Sequence, residues 1–179
     1  NRLGDGRGSL ADYAAAEPLV ANDPEELARI AMQTAEFARR LGHEPRVAFL
    51  AHSTFGQPRS TRSDRVREAV SVLEGMNPDF EFDGDLAADV ALNPELLALY
   101  PFCRLTGPAN VLVMPAFHSA AISTKMTQAL GGSTVIGPLL IGLDRSVQIV
   151  GLGTRDTDIV NMAAFAAFDA GRRERAEAG

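Results

Sequence analysis

Pro45-Arg46-Val47-Ala48-Phe49-Leu50-Ala51-His52-Ser53-Thr54-Phe55-Gly56 is the stretch that decides the fold. Its centre, residues 47–51, is a short and almost unbroken apolar run with a proline ahead of it and a loop of hydroxyl and glycine residues behind it. Continuous rather than alternating hydrophobicity means that both faces of the strand are covered, the pattern of a buried strand in a parallel sheet. Upstream, Asp23-Pro24-Glu25-Glu26 reads as a helix start: an N-cap, a proline at the first helical position and an acid at the third. Leu27, Ile30, Ala31, Thr34, Phe37, Ala38 and Leu41 then recur at three- and four-residue steps until Gly42 ends the helix.

Downstream, a helix beginning near Ser63 and Asp64, with Val66, Val70 and Leu73 inward, leads to a second strand over 80–82. Asp83-Gly84-Asp85 reads as a turn. Short helical pieces follow through Leu99, Gly107-Pro108 restarts the chain, and a strand is predicted over 110–114. A helix over 119–130, Gly131-Gly132, extended segments at 136–141 and 147–150, and a final helix over 156–170 complete the pattern. Strands alternating with helices predict the α/β class, a mostly parallel sheet with helices on both faces. Ligands in such sheets gather beyond the carboxyl ends of the strands, which points to residues 53–56, 115–118, 137–138 and 151–154.

The chain divides by composition into a lead-in over 1–22, an organised region over 23–171 and a charged tail over 172–179. Glycines at positions 4, 6 and 8 do not make a phosphate loop, because no strand precedes them and no helix directly follows. With 179 residues, 46% hydrophobic and 22% charged, the composition suits one sizeable core. No window approaches the ~18 uninterrupted apolar residues of a membrane span, and no charged-then-apolar leader opens the sequence, so a cytoplasmic protein with no membrane contact is expected. A net charge of -6 and a pI of about 5.1 argue against a nucleic-acid surface. The single Cys103 reads as a packed apolar residue, and His43, His52 and His118 lack metal-ligand spacing, so no metal is expected on this chain.

Two glycine-containing loops call for separate readings. Gly151-Leu152-Gly153 lies after an apolar segment read as a strand and before a helix, but Asp156 stands where a dinucleotide fingerprint has its third glycine. Asp156 and Asp158 read first as first-turn acids that complement the helix dipole. Ser53-Thr54-Phe55-Gly56 offers hydroxyls, backbone amides and a glycine to a polar or phosphorylated ligand; an ordinary turn closed by Ser and Thr side chains has the same spacing. His52, Ser119 and Lys125 show no partner spacing of a catalytic kind.

Five segments in order, between about Asp23 and Phe168, resemble the phosphate acetyltransferase and butyryltransferase family. The stretch over 44–56 is similar to that family's strand and serine-threonine-glycine loop, and its His-Ser-x-Phe-Gly form resembles the branch fused to bacterial NADP-dependent malic enzymes. Asp83-Gly84-Asp85-Leu86-Ala87-Ala88-Asp89 matches an Asp-Gly-Glu-Leu-x-x-Asp motif with one acid exchanged. Gly107-Pro108-Ala109-Asn110-Val111-Leu112-Val113-Met114-Pro115, Ile136-Gly137-Pro138-Leu139-Leu140-Ile141-Gly142-Leu143 and Asp158-Ile159-Val160-Asn161-Met162 supply the other three. The resemblance implies the second lobe of a three-layer fold of phosphate acetyltransferase and isocitrate dehydrogenase type.

In active family members a Ser-Arg pair precedes the closing helix, and an acid that opens the helix takes the thiol proton of coenzyme A. Gly151 and Leu152 occupy the pair's positions here, and Asp158 stands at the acid. The resemblance therefore implies a transferase fold without transferase activity, with Asp158 as the catalytic residue if any is. A domain that senses acetyl-CoA and dimerises is the implied role, with Ser53, Thr54, Gly56, Gly137, Pro138, Gly151, Asp158 and Asn161 around the ligand. NADP and a divalent metal would belong to a malate-oxidising part outside this sequence. The implied alternative is an active, divergent phosphate acyltransferase in which Arg155 supplies the missing charge.

Overall fold

The computed structural model describes residues 23–58, 60–131, 135–141, 143 and 145–177; the expected lead-in over 1–22 and Gly132 lie outside the described residues. The chain forms two compact units, the first reaching to Met126 and the second starting at Thr127. In the first, strands β1 (Arg46–Leu50), β2 (Glu81–Leu86) and β3 (Val111–Val113) make a parallel sheet in the order β2-β1-β3. The helices of this unit include α1 (Pro24–Arg40), α2 (Thr61–Gly75) and the short α3 (Ala88–Leu92) and α4 (Pro94–Leu97).

Side-chain alternation along β1 explains why its sequence is apolar throughout. Val47 and Phe49 join Val111 and Val113 in a core covered by Leu27 and Ile30 of α1 and by Val70 and Leu73 of α2. Ala48 and Leu50 face the other way, into a second core with Leu112, Val90 and Leu97. Each fully buried aliphatic or aromatic side chain contributes about 1.5–3 kcal/mol, so the strand is held from both faces. Asp23 takes the N-cap position of α1, although its side chain makes no capping hydrogen bond, and Gly42 ends the helix region at φ +87°. α2 begins ahead of Ser63: Ser60 is its N-cap, and the two serines form a reciprocal capping box.

The Asp-Gly-Asp stretch is a strand, not the turn its composition suggests. β2 runs through Leu86, and both acids are buried with partners. Asp83 accepts from the amides of Gly84 and Arg104 at 2.9 and 2.7 Å. Phe49 pairs with Gly84 but Leu50 with Leu86, so Asp85 is an extra residue on β2. Such an irregularity re-aims the side chains that follow it: Leu86 enters the second core, and the Asp85 carboxylate meets the loop after β1. Gly84 is required at the close approach, since a Cβ there would sit 2.7 Å from Phe49 Cβ and 2.9 Å from its carbonyl oxygen.

Helix α5 (Phe117–Leu130) reaches the boundary between the units, and the second unit continues to α6 (Asp156–Glu177). α6 extends past Ala170, where the sequence pattern placed its end, so the expected charged tail over 172–179 is helical through Glu177. Arg172 lies 5.8 Å from the Phe168 ring centroid, and good helix formers follow it. The strand expected over 147–150 does not form among the described residues, and neither does a ladder at 136–141. The Gln148 side chain bridges the two segments, its amide accepting from Leu140 N at 3.0 Å and donating to Leu140 O at 3.2 Å. Ile136, Val147, Ile149 and Val150 are exposed, so the apolarity that suggested strands is not satisfied by pairing within this unit.

Candidate functional site

The loop after β1 is organised from beneath by one carboxylate. Asp85 is fully buried; it accepts from Ser53 Oγ at 2.7 Å and from the Gly56 amide at 3.1 Å, while its backbone oxygen accepts from Phe55 N at 2.8 Å. Arg67 of α2 approaches the same carboxylate at 3.5 Å and also pairs with Asp64. Thr54 Oγ1 accepts from Ala87 N at 3.1 Å. Ser53 is 2% exposed and Thr54 partly buried, so both hydroxyls hold the loop in shape. Of the two readings that spacing left open, the hydrogen bonds match the turn closed by Ser and Thr side chains.

Phe55 and Gly56 both have left-handed backbone, at φ 49° and 78°. A bulky residue at positive φ is strained and persists only where its surroundings fix it. Here the Asp85 contacts and the ring packing do so: Phe55 lies 5.6 Å from Tyr100 and 4.8 Å from Phe102 by ring centroid. Sequence reasoning did not single out Asp85 as the residue that shapes the loop. The available signal was an acid at the carboxyl end of a strand, read instead as part of a turn.

The second unit contains a cavity of about 420 Å³. Gly137, Pro138, Gly151, Asp158 and Asn161, five of the predicted site residues, all line it. Gly137 has φ 142°, a conformation that favours glycine, and at Gly151 a Cβ would meet, among the described residues, nothing closer than Thr154 Oγ1 at 3.6 Å. Leu152 is fully exposed and does not line the cavity. Arg155 does, and its guanidinium holds Asp158 with two hydrogen bonds, Nε to Oδ2 at 2.9 Å and a terminal nitrogen to Oδ1 at 3.3 Å. The cavity lies at the start of α6, whose first-turn amides and dipole favour negative charge. It therefore offers cationic and amide donors, exposed glycine backbone and apolar walls such as Met162 and Ile149.

The remaining candidates have local roles. Ser119 Oγ donates to Ala116 O at 2.7 Å, inside its own helix start, and Lys125 is exposed on α5. Burial pushes the Cys103 thiol up to about 11, with the Asp83 carboxylate adding to the effect. That suits a packed thiol and not a nucleophile at neutral pH. Among the described residues no group of three His, Cys, Asp or Glu side chains could hold a metal ion, and no helix is long and apolar enough to cross a membrane.

Comparison with known proteins places these features. A family model described as phosphate acetyl/butaryl transferase matches residues 8–167. The NADP-dependent malic enzyme of Rhizobium meliloti is 65% identical over 147 residues, which is 82% of this chain and 19% of that protein. The phosphate acetyltransferase of Clostridium acetobutylicum is 37% identical over 150 residues, 83% of this chain and 45% of that one. Among solved structures, a phosphotransacetylase from Streptococcus pyogenes aligns with a TM-score of 0.80 at 37% identity, covering 90% of this chain and 49% of its own. The chain thus spans about a fifth of the malic enzymes it matches and about half of the phosphotransacetylases. With a parallel α/β sheet, the loop after its central strand and a glycine-lined cavity at the start of its last helix, the chain belongs to the phosphate acetyl/butaryl transferase family.

Proposed function

We propose that this chain is an acyl-CoA-binding domain of a malic enzyme, retained as a sensor and deficient in acyl transfer. The observation that carries the reading is the pair of residues ahead of α6, next to a cavity whose acid is already ion-paired. Gly151 and Leu152 stand where active members of the family resemble one another in a Ser-Arg pair; Leu152 brings no charge, and the acid Asp158 is ion-paired to Arg155. Loss of one preorganised donor costs about 2.7–4 kcal/mol of transition-state stabilisation, a factor of a hundred or more in rate. A glycine-lined pocket can still hold a ligand without those groups. In this reading acetyl-CoA binds, is not turned over, and shifts a conformational equilibrium of the polypeptide that oxidises malate with NADP and a divalent metal. Such coupling requires unequal affinity for two states, typically by about 1–3 kcal/mol. The cytoplasm is the compartment, and dimerisation through this lobe belongs to the same proposal.

The test is made on the full polypeptide that carries this sequence. Acetyl phosphate formation from acetyl-CoA and phosphate is measured beside malate oxidation with and without acetyl-CoA. Negligible transfer together with acetyl-CoA-dependent malate oxidation supports the sensor. Robust transfer would refute it and favour a divergent transferase, for which the position of Arg155 on the cavity is the supporting observation. Filling the cavity by Gly151→Phe is expected to weaken the response to acetyl-CoA, because Gly151 lines it.

A further inference from the structure

The geometry points to Arg155 as the residue that selects a phosphoryl group in the α6 cavity, with Asp158 acting as its internal competitor. This deepens the acyl-CoA reading and rests on it for the identity of the ligand, but not for the chemistry of the group recognised.

Among the described residues that line the cavity, Arg155 is the one cation and Asp158 the one anion. A guanidinium has five N–H donors in a planar fork that fits carboxylates and phosphates two bonds at a time. Two of those donors are on Asp158, at 2.9 and 3.3 Å. The Arg155 side chain is 76% exposed, so the guanidinium is open to solvent and to an incoming ligand. An exposed ion pair between residues three apart is held weakly, so an incoming anion can take the guanidinium over or share it. Asp158 is 25% exposed and pinned at the helix start, where it keeps the fork at the cavity while no ligand is present. Its negative charge opposes any phosphoryl group that enters. The same carboxylate therefore both orients Arg155 and weakens anion binding, and removing it has the opposite sign from removing Arg155.

A phosphoryl group could come from the phosphates of an acyl-CoA or from free phosphate, and a titration distinguishes them. Calorimetric titration of the full polypeptide with acetyl-CoA, with acetyl-pantetheine, which keeps the thioester and lacks the phosphates, and with inorganic phosphate covers both sources. Arg155→Ala is expected to weaken acetyl-CoA about tenfold to a hundredfold, the worth of a charge-assisted contact, and to leave acetyl-pantetheine unchanged. Asp158→Asn is expected to tighten acetyl-CoA about threefold, the repulsion of two charges ~6 Å apart in a watery site. Arg39→Ala, which removes a surface guanidinium on α1, serves as the control for loss of charge.

Weakening of acetyl-CoA by Asp158→Asn, or no effect of Arg155→Ala, would overturn the assignment while leaving an acyl-CoA sensor standing. If wild-type protein ignores acetyl-CoA but binds phosphate in an Arg155-dependent way, the sensor reading fails and this one survives as a phosphate site. Absence of binding to both acetyl-CoA and phosphate refutes both.

Discussion

Replacing Asp85 with alanine tests whether one carboxylate shapes the loop after β1. The substitution strips two hydrogen bonds from a fully buried acceptor, Ser53 Oγ at 2.7 Å and the Gly56 amide at 3.1 Å. Bonds to a charged acceptor contribute about 1.5–3 kcal/mol each, giving about 3–6 kcal/mol gross. Relief of the desolvation of a buried carboxylate, which costs several kcal/mol before pairing, offsets part of this. Arg67 at 3.5 Å is 32% exposed and returns to water and Asp64 at little cost. The net expectation is about 2–4 kcal/mol of destabilisation for Asp85→Ala. Asp85→Asn should lose less, about 1–2 kcal/mol, since the amide keeps one acceptor for the Gly56 amide and the Ser53 hydroxyl can reverse its role. With a denaturant slope of about 2 kcal/mol per molar, the urea midpoint of the unit should fall by about 1–2 M for alanine and by half that for asparagine. The readout is urea unfolding followed by limited proteolysis at the loop, which also registers early cleavage near residue 55. An alanine midpoint within about 0.3 M of wild type, or a Ser53→Ala variant more damaging than Asp85→Ala, would refute the reasoning.

Gly84→Ala should destabilise by about 2–3 kcal/mol, because the new Cβ lies 2.7 Å from Phe49 Cβ and the two strands must part, whereas Gly75→Ala at the open end of α2 should be neutral or slightly stabilising; paired thermal scans of the two variants check this. Cys103, with its thiol raised to about 11, should be almost all thiol at pH 8, about one thiolate in a thousand, so alkylation read site by site by mass spectrometry should rise roughly tenfold per pH unit until pH approaches 11. A rate already level by pH 9 would contradict the burial. Restoring the pair by Gly151→Ser with Leu152→Arg is sterically open among the described residues, since a Cβ at 151 meets Thr154 Oγ1 at an ordinary 3.6 Å and Leu152 is fully exposed. Acetyl phosphate formation should then rise by a factor of a hundred or more over the parent, and an unchanged rate would show that the missing pair is not what limits transfer.

The sequence by itself determined the class of fold, because burial on both faces leaves a one-dimensional trace: residues 47–50 can be apolar throughout only if two cores share the strand, and they do. It also determined the α1 stripe, since the three- and four-residue spacing of Leu27, Ile30, Thr34 and Phe37 is fixed by the helix pitch. Five of the predicted site residues, Gly137, Pro138, Gly151, Asp158 and Asn161, line one cavity, while Ser53, Thr54 and Gly56 belong to the loop after β1 and do not line it. Tertiary structure alone decided how polar groups are satisfied. Asp83-Gly84-Asp85 looks like a turn because acids and glycine are solvated in isolation, yet the partners that permit their burial, Ser53, Gly56 and Arg104, come from distant parts of the chain. Composition likewise suggested strands at 136–141 and 147–150, but a strand exists only with a neighbour to accept its hydrogen bonds, and within this unit the Gln148 amide is what meets Leu140. The end of α6 was set by continued helix propensity past Gly171, a local preference that the charged composition of the tail concealed. Periodicity records which face is buried; the identity of the group on the other side of a contact is recorded only in three dimensions.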